Sequence, residues 1–418
     1  MGQLFSATSH DEQHQDLASS FSAYFKNVSV GSNIISQETI ELIELHLKKG
    51  NIQAANSVIS AVLKEIDNAP LSIAVTGETG AGKSSFINAL RGLGPEDEGA
   101  APTGAVETTM ERIPYTHPKF PCVTLWDLPG IGTRNFKPKD FLHNVKFGEY
   151  DFFIIVSATR FTKTDIDLAK MIKTMKKNFY FVRSKVDIDL RNEQESKPKS
   201  FTEEGVLQQI RNNCRYIFKE NKIDEAPVFL ISNRDLSAYD FPILIDTLLK
   251  DLPAEKHHIF LLSLPNITDA AIESKRDSLK QCIWLEALKA GAWATLPMVG
   301  IISDRDVEKL KGILNDYRVH FGVDDKSLQH LANDLKVPVE QLKASLKSPG
   351  LLENKEKSIS EILLGYLEKF CSANGGLLAT GLYFRKNYYL QFHFLDTVTH
   401  DAKVLLKETY SKKSLISQ

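Results

Sequence analysis

The chain has 418 residues, of which 42% are hydrophobic and 25% charged, a composition typical of a globular protein with about two or three domains. Its formal net charge of −2 provides no global positive field, so we expect no nucleic-acid partner. The four cysteines are widely separated and have neither zinc-ligand spacing nor a secreted disulfide pattern. These features favour a reducing, cytoplasmic environment.

The N-terminus lacks the apolar core of a signal peptide. Residues 1–6 read Met-Gly-Gln-Leu-Phe-Ser, which matches the N-myristoylation pattern with Gly2 as the acceptor. An unmodified, solvated terminus is the alternative interpretation. If Gly2 is acylated, we expect a cytoplasmic protein that associates peripherally with membranes.

Residues 1–69 predict the acylation signal followed by two helices. Ser36 is a suitable N-cap for the first helix, and Lys48-Lys49-Gly50 is a typical stop. The second helix carries a periodic apolar stripe and ends before Pro70. We expect this helical lead-in to precede a separate α/β domain.

Residues 70–252 alternate short apolar runs with amphipathic segments. This alternation predicts a mostly parallel, doubly wound sheet covered by helices. The predicted strands include 71–76, 123–126, 152–156, 179–182 and 227–231. The predicted helices cover roughly 138–149, 164–177, 202–219 and 240–251.

Residues 253–418 predict an all-α domain that packs with the N-terminal helices. The helical segments are 272–290, 304–317, 359–370 and 382–407. The apolar run 290–302 is too short to cross a bilayer of about 30 Å, so we interpret it as a buried helical hairpin.

The stretch Gly77–Ser84 follows the first apolar strand and precedes a helical pattern. It matches G-x-x-x-x-G-K-[ST], a loop whose backbone amides cradle nucleotide phosphates. In this pattern Lys83 reaches the β- and γ-phosphates, and the Ser84 hydroxyl binds Mg²⁺. The predicted phosphate-binding residues are Gly77, Glu78, Thr79, Gly80, Ala81, Gly82, Lys83, Ser84 and Ser85.

Asp-Leu-Pro-Gly at residues 127–130 follows the next strand. In GTPases an Asp-x-x-Gly sequence at this position senses the γ-phosphate, which predicts that Asp127 holds a magnesium-bound water and that the Gly130 amide meets the phosphate. Small signalling GTPases have a water-orienting glutamine next, whereas this chain has Ile131. An aliphatic side chain cannot polarise water, so slow intrinsic turnover is expected unless another molecule completes the site.

Ser-Lys-Val-Asp at residues 184–187 ends the strand 179–182 and is close to the [NT]-K-x-D base-reading pattern. The Asp187 carboxylate can accept from guanine N1–H and the 2-amino group, which predicts GTP rather than ATP. Lys185 lies along the base, and Ser184 supports the phosphate loop with fewer hydrogen bonds than an asparagine. Ser232 and Asn233 match the last GTPase element, whose backbone contacts the base.

The small, threonine-rich segment 99–109 is the candidate switch I. One threonine there should complete the Mg²⁺ shell when GTP is bound. Thr103 and Thr109 are both candidates, and the sequence does not choose between them.

Together these motifs and the Tyr-Asp-Phe-Phe-Ile strand at 150–154 resemble the immunity-related GTPases, over essentially the full chain. The resemblance implies a Ras-like doubly wound G domain joined to a helical domain formed from the N- and C-terminal segments. It also implies interferon inducibility, GTP/GDP and Mg²⁺ as cofactors, and dynamin-like self-assembly with cooperative hydrolysis. Lys83, where regulatory members have methionine, resembles the effector class, and Gly2 resembles the myristoylated members.

The family further implies that G domains pair face to face, with a switch I glutamate assisting catalysis. Glu107 is the matching residue, and an exposed strand carboxylate is the alternative reading. Related GTPases and the membranes of pathogen-containing vacuoles are the other implied partners. A second class of function stays open: a slow, nucleotide-gated membrane-docking protein in which hydrolysis is only an off-switch.

One helical face near the C-terminus is relevant to membrane binding. Leu390, Phe394, Val398 and Leu405 share that face, and the family uses an amphipathic helix in this region for membrane targeting. A core stripe of the helical domain is the alternative and the favoured interpretation.

Overall fold

The computed structural model describes residues 18–19, 21–26, 28, 33–104, 111–129, 145–223, 226–289, 304–351 and 386–416. The chain divides into two compact units. One comprises Ala69–Leu252 and Ser263–Ile267, and the other is built from the described parts of Met1–Asn68, Pro253–Leu262 and Thr268–Gln418.

The first unit is a six-stranded sheet with strand order β2-β3-β1-β4-β5-β6. All neighbours are parallel except β2, which pairs antiparallel with β3 at one edge. The strands are β1 Leu71–Gly77, β2 Ile113–Thr116, β3 Val123–Asp127, β4 Phe152–Ser157, β5 Asn178–Arg183 and β6 Val228–Leu230. The doubly wound α/β prediction is therefore confirmed.

Helices alternate with these strands in the first unit. They are α3 Lys83–Arg91, α4 Lys163–Thr174, α5 Val186–Ser196, α6 Glu203–Glu220 and α7 Phe241–Lys250. Helix α4 begins with a capping box, in which Thr162 accepts from the Asp165 amide while the Asp165 carboxylate accepts from the Thr162 amide. Helix α3 ends at Gly92, whose φ of +65° suits the left-handed C-cap.

The core beside the sheet is aromatic. Phe181 stacks on Phe218 with ring centroids 4.4 Å apart, and Phe161 packs edge-on against Phe181 at 4.7 Å. All three are at most 4% exposed. Burying rings of this size contributes several kcal/mol and holds the strands in a fixed register.

The second unit contains helices and connecting turns but no strand among its described residues. Its helices are α1 Gln37–Lys48, α2 Ile52–Asn68, α8 Ala254–Ser263 (whose last residue lies in the first unit), α9 Asp269–Lys289, α10 Asp304–His320, α11 Asp325–Leu335, α12 Val339–Ala344 and α13 Lys386–Ile416. N- and C-terminal segments pack together here: Tyr24 stacks on Trp284 with centroids 4.6 Å apart, and the Ile34 amide donates to Gln281. The prediction of one helical region formed from both ends of the chain is confirmed.

The long helix α13 belongs to the core of this unit. Leu390, Phe394 and Val398 are fully buried and Leu405 is 5% exposed, so the stripe is core, as favoured, rather than membrane-facing. Buried Asp401 accepts from the amides of residues 347 and 348, which fixes the loop after α12 against it. None of the described helices combines the length and apolarity needed to span a bilayer.

Five elements were not predicted from the sequence. They are strand β2 and the helices α5, α8, α11 and α12. The predicted segments 359–370 and 290–302, and most of 138–149, lie outside the described residues. Within that last segment, only a 3₁₀ turn at Phe147–Glu149 is described.

Candidate nucleotide-binding site

The loop between β1 and α3 has the backbone geometry of a phosphate cradle. Gly77 has φ of +139°, and a Cβ there would lie 2.0 Å from the Val156 carbonyl oxygen, so only glycine can occupy the position. Gly80 has φ of +77°, and no described atom lies within 4 Å of where its Cβ would be. The loop is thus packed closely against the sheet at its start and open at its tip.

Lys83, the first residue of α3, is only 8% exposed. Its Nζ donates to the carbonyl oxygens of Gly77 at 3.3 Å and Glu78 at 3.2 Å. The ammonium group therefore lies within the arc of the loop. A buried cation held on neutral carbonyls at a helix N-terminus is well suited to an anionic ligand.

Ser84 and Asp127 meet at the carboxyl ends of neighbouring parallel strands. The Ser84 hydroxyl donates to Asp127 Oδ2 at 2.7 Å, and Asp127 is 1% exposed. A hydroxyl and a carboxylate are the hard oxygen donors that Mg²⁺ takes alongside water and phosphate. The donor set fits the ion that the sequence predicts at this position.

Side chains from the two loops that the sequence predicts to read the base donate to three consecutive carbonyls of the β1–α3 loop. Lys185 Nζ donates to Gly80 O at 2.9 Å, the Ser184 hydroxyl to Ala81 O at 2.6 Å, and Asn233 Nδ2 to Gly82 O at 3.1 Å. These bonds hold the carbonyl side of residues 80–82, while the Ala81 amide donates within the loop to Glu78 O at 3.2 Å. The base loops and the phosphate loop thus form one connected structure.

Asp187 and Ser232 lie on the same two loops. Asp187 is in the first turn of α5, half-buried, and its carboxylate makes no hydrogen bond to the described residues. Ser232 is 1% exposed, and its hydroxyl accepts from the Arg234 amide at 3.2 Å. Asp187 is therefore available as an acceptor for a ligand.

The remaining predicted residues fall into two groups. Glu78, Thr79 and Ser85 lie on the phosphate loop and the start of α3, whereas Thr103 is exposed. Gly2, Glu107, Thr109 and Gly130 lie outside the described residues, so their predicted roles stay predictions.

Two positioning residues on α3 were missed by the sequence analysis. Asn88 donates to Ala101 O at 2.9 Å and accepts from the Ala101 amide at 2.7 Å. One turn later, Arg91 donates to the carbonyls of Gly99 at 2.9 Å and Thr116 at 3.0 Å. Polar residues spaced i, i+3 among buried positions of a helix were the available signal.

A buried carboxyl lies near the phosphate loop. Asp165 is fully buried, and burial raises its pKa to about 6, with Glu78 adding to the rise and Lys83 opposing it. The Oδ2 atom accepts from the Thr162 amide and hydroxyl, while Oδ1 has no hydrogen-bond partner. Ionising this group near neutral pH therefore carries a desolvation cost.

The sheet order, the phosphate cradle, the Ser84–Asp127 pair and the base-reading loops together define a GTPase G domain. Residues 36–409 match the family described as interferon-inducible GTPase, and the chain belongs to this family. It is 56% identical to interferon-inducible GTPase 1 of Mus musculus, over 98% of this chain and 99% of that protein. It is 52% identical to interferon-gamma-inducible GTPase 10 of the same species, over 98% and 97% of the two chains.

More distant relatives share the description. Interferon-inducible GTPase 5 of Rattus norvegicus is 38% identical, over 88% of this chain and 82% of that protein. Among solved structures, the Aquifex aeolicus Era protein bound to GDP and AlF₄⁻ is 24% identical, covers 44% of this chain and 56% of its own, and has a TM-score of 0.30. The protein is a GTPase that binds GTP and GDP.

Proposed function

We propose that this GTPase binds GTP with Mg²⁺ at the β1–α3 loop and reads guanine through the 184–187 loop. The observation that carries the proposal is the set of three bonds from Ser184, Lys185 and Asn233 to consecutive carbonyls of the phosphate loop. Because these bonds join the two loops, the position of the residues proposed to bind the base depends on the position of the loop proposed to bind the phosphates. ATP lacks the N1–H and 2-amino donors that Asp187 can accept from, so GTP is preferred.

In this proposal each residue has a defined task. Lys83 exchanges its bonds to loop carbonyls for the β- and γ-phosphates, where it offsets negative charge that develops during hydrolysis. Ser84, water held by Asp127 and one switch I threonine would hold Mg²⁺, with Thr103 and Thr109 as the candidates. When bound, Mg²⁺ neutralises charge on the phosphate oxygens.

We further propose that hydrolysis depends on self-assembly. Ile131 stands where a glutamine would orient the attacking water, so an isolated molecule should turn over slowly. Pairing of two G domains would bring Glu107 to the nucleotide to assist the reaction. Such a site is incomplete in a single chain, which makes the rate depend on protein concentration.

Membrane action is the cellular part of the proposal. An acylated Gly2 would provide one reversible anchor, and a single myristoyl chain binds bilayers with only about 10⁴ M⁻¹. An oligomer that forms with bound nucleotide carries several acyl chains, so its membrane affinity exceeds that of a single chain. Assembly and membrane binding are therefore coupled. We propose that the assembled protein loads onto and disrupts membranes of pathogen-containing vacuoles, alongside related GTPases.

The decisive experiment measures GTP turnover per molecule against protein concentration, with Lys83→Ala as the inactive control. Specific activity that rises with concentration supports an assembly-activated enzyme. A flat, very low rate would instead support the second candidate, a nucleotide-gated docking protein in which hydrolysis only ends the bound state. Pelleting with GTP, and not with GDP, would report the oligomer directly.

A further inference from the structure

Arg183 is a buried cation at the edge of the proposed base pocket. It is the last residue of β5, its Cα pairs with those of Ser157 on β4 and Leu230 on β6, and it is 6% exposed. A buried arginine in the middle of a sheet is costly unless its donors are satisfied. Its hydrogen bonds therefore indicate what it is retained to hold.

Arg183 connects Ser184, the first residue of the proposed base-reading loop, to the first turn of α5. Its Nη1 donates to the Ser184 carbonyl at 3.0 Å, and its Nη2 forms an ion pair with Asp189 Oδ2 at 2.5 Å. Ser184 opens the segment, and Asp189 lies two residues beyond Asp187 in the first turn of α5. The planar guanidinium thus spans the residues that face the base.

The segment needs such a support because its backbone is strained. Lys185 has φ of +58°, in the left-handed region that costs a non-glycine residue about 1–2 kcal/mol. Its carbonyl accepts from the amides of residues 188 and 189, and the Val186 amide donates to Ile231 O at 3.3 Å. These bonds fix the backbone of the turn, while Arg183 fixes the start of α5 relative to the strand.

The charges around Asp187 also indicate that Arg183 stabilises the start of α5. Burial raises the pKa of the Asp189 carboxyl, the Arg183 charge opposes that rise, and Asp187 adds to it by like-charge repulsion. Burial also lowers the pKa of Arg183, and the Asp189 carboxylate opposes that change. Removing the guanidinium would leave two neighbouring carboxylates to repel each other at the start of α5.

We propose that Arg183 is a specificity-determining positioning residue. It holds Asp187 where its two oxygens meet both guanine donors, so that the 2-amino group of the base is read. This inference rests on the proposed role of Asp187 as the guanine acceptor. Arg183 itself touches no base in the proposal and acts through the Ser184–Asp189 segment.

The test compares GDP with inosine diphosphate, whose base lacks only the 2-amino group. Affinities of the full chain are measured by competition against a fluorescent GDP, for Arg183→Met, Arg183→Lys and Asp189→Asn. Arg191→Met is the matched control, because Arg191 lies on the same helix and is exposed. Thermal melts report folding for each variant.

The parent should prefer GDP to inosine diphosphate by at least about tenfold, as expected for one charge-assisted hydrogen bond. Arg183→Met should bring that ratio close to one, Arg183→Lys and Asp189→Asn should lower it partly, and Arg191→Met should leave it unchanged. An unchanged ratio in folded Arg183→Lys and Asp189→Asn overturns the inference, even if the melting temperature falls. A parent that does not discriminate between the two nucleotides overturns the assignment of Asp187 itself.

Discussion

Truncating Phe394 to alanine tests whether the stripe on α13 is core. The ring is fully buried, and Leu390 and Val398 on the same face are fully buried as well. Replacing a fully buried phenylalanine by alanine lowers the free energy of unfolding by about 3–5 kcal/mol. This loss combines the transfer free energy of the ring with the cost of the cavity that it leaves. Because a domain has about 5–15 kcal/mol of stability in total, this loss is about a fifth of it or more.

The assay is urea denaturation of the full chain, followed by circular dichroism. Tyr410→Ala is the control, since Tyr410 lies on the same helix and is 40% exposed, and it should change stability by no more than about 0.5 kcal/mol. A GDP-binding titration in parallel reports whether the G domain stays intact. The reasoning would be refuted if Phe394→Ala unfolded at the parental urea concentration and instead lost flotation with liposomes.

Three further predictions concern the G domain. Lys83→Ala should lower GTP turnover by at least about 100-fold, because it removes the charge nearest the β- and γ-phosphates; activity within a few-fold of the parent in a phosphate-release assay would contradict the assignment. Asp187→Asn should weaken the binding of GTP and strengthen the binding of xanthosine triphosphate, whose base has a carbonyl where guanine has its amino group. A competition assay in which the variant still prefers GTP would exclude the predicted contact. Asp165→Asn should remove a pH dependence of stability. The pKa of Asp165 is about 6 in the folded protein, above its value in the unfolded chain, so the parent's free energy of unfolding should rise by up to roughly 3 kcal/mol relative to the variant as pH falls from 7 to 4. If urea denaturation gives the same stability difference between parent and variant at both pH values, the prediction is contradicted.

The G domain could be predicted because its signals are local. A glycine-rich loop after an apolar strand, and aspartates at the ends of later strands, place the site without any knowledge of packing. Strand β2 escaped prediction because it is a four-residue edge strand with Pro114 and alternating exposure. Helix α5 escaped because it is highly polar and buries only Val186 and Leu190.

Long-range partners could not be predicted from the sequence. Arg183 and Asn88 act on carbonyl and carboxylate groups whose positions depend on the folded sheet and loops. Likewise the face of α13 has the same apolar spacing whether it meets lipid or other helices. Only the burial of Phe394 and its neighbours distinguishes the two.

The helical unit has a consequence for synthesis on the ribosome. Helix α2 packs against α9 in that unit, although the G domain lies between them in the chain. At about 5–20 residues per second, the roughly 200 intervening residues delay the arrival of α9 by about 10–40 s. During that interval the apolar face of α2, with Ile59 and Ile66, lacks its α9 partner while the G domain is synthesised. The helical unit is therefore completed last, and its early half is the part of the nascent chain most exposed to chaperones and to aggregation.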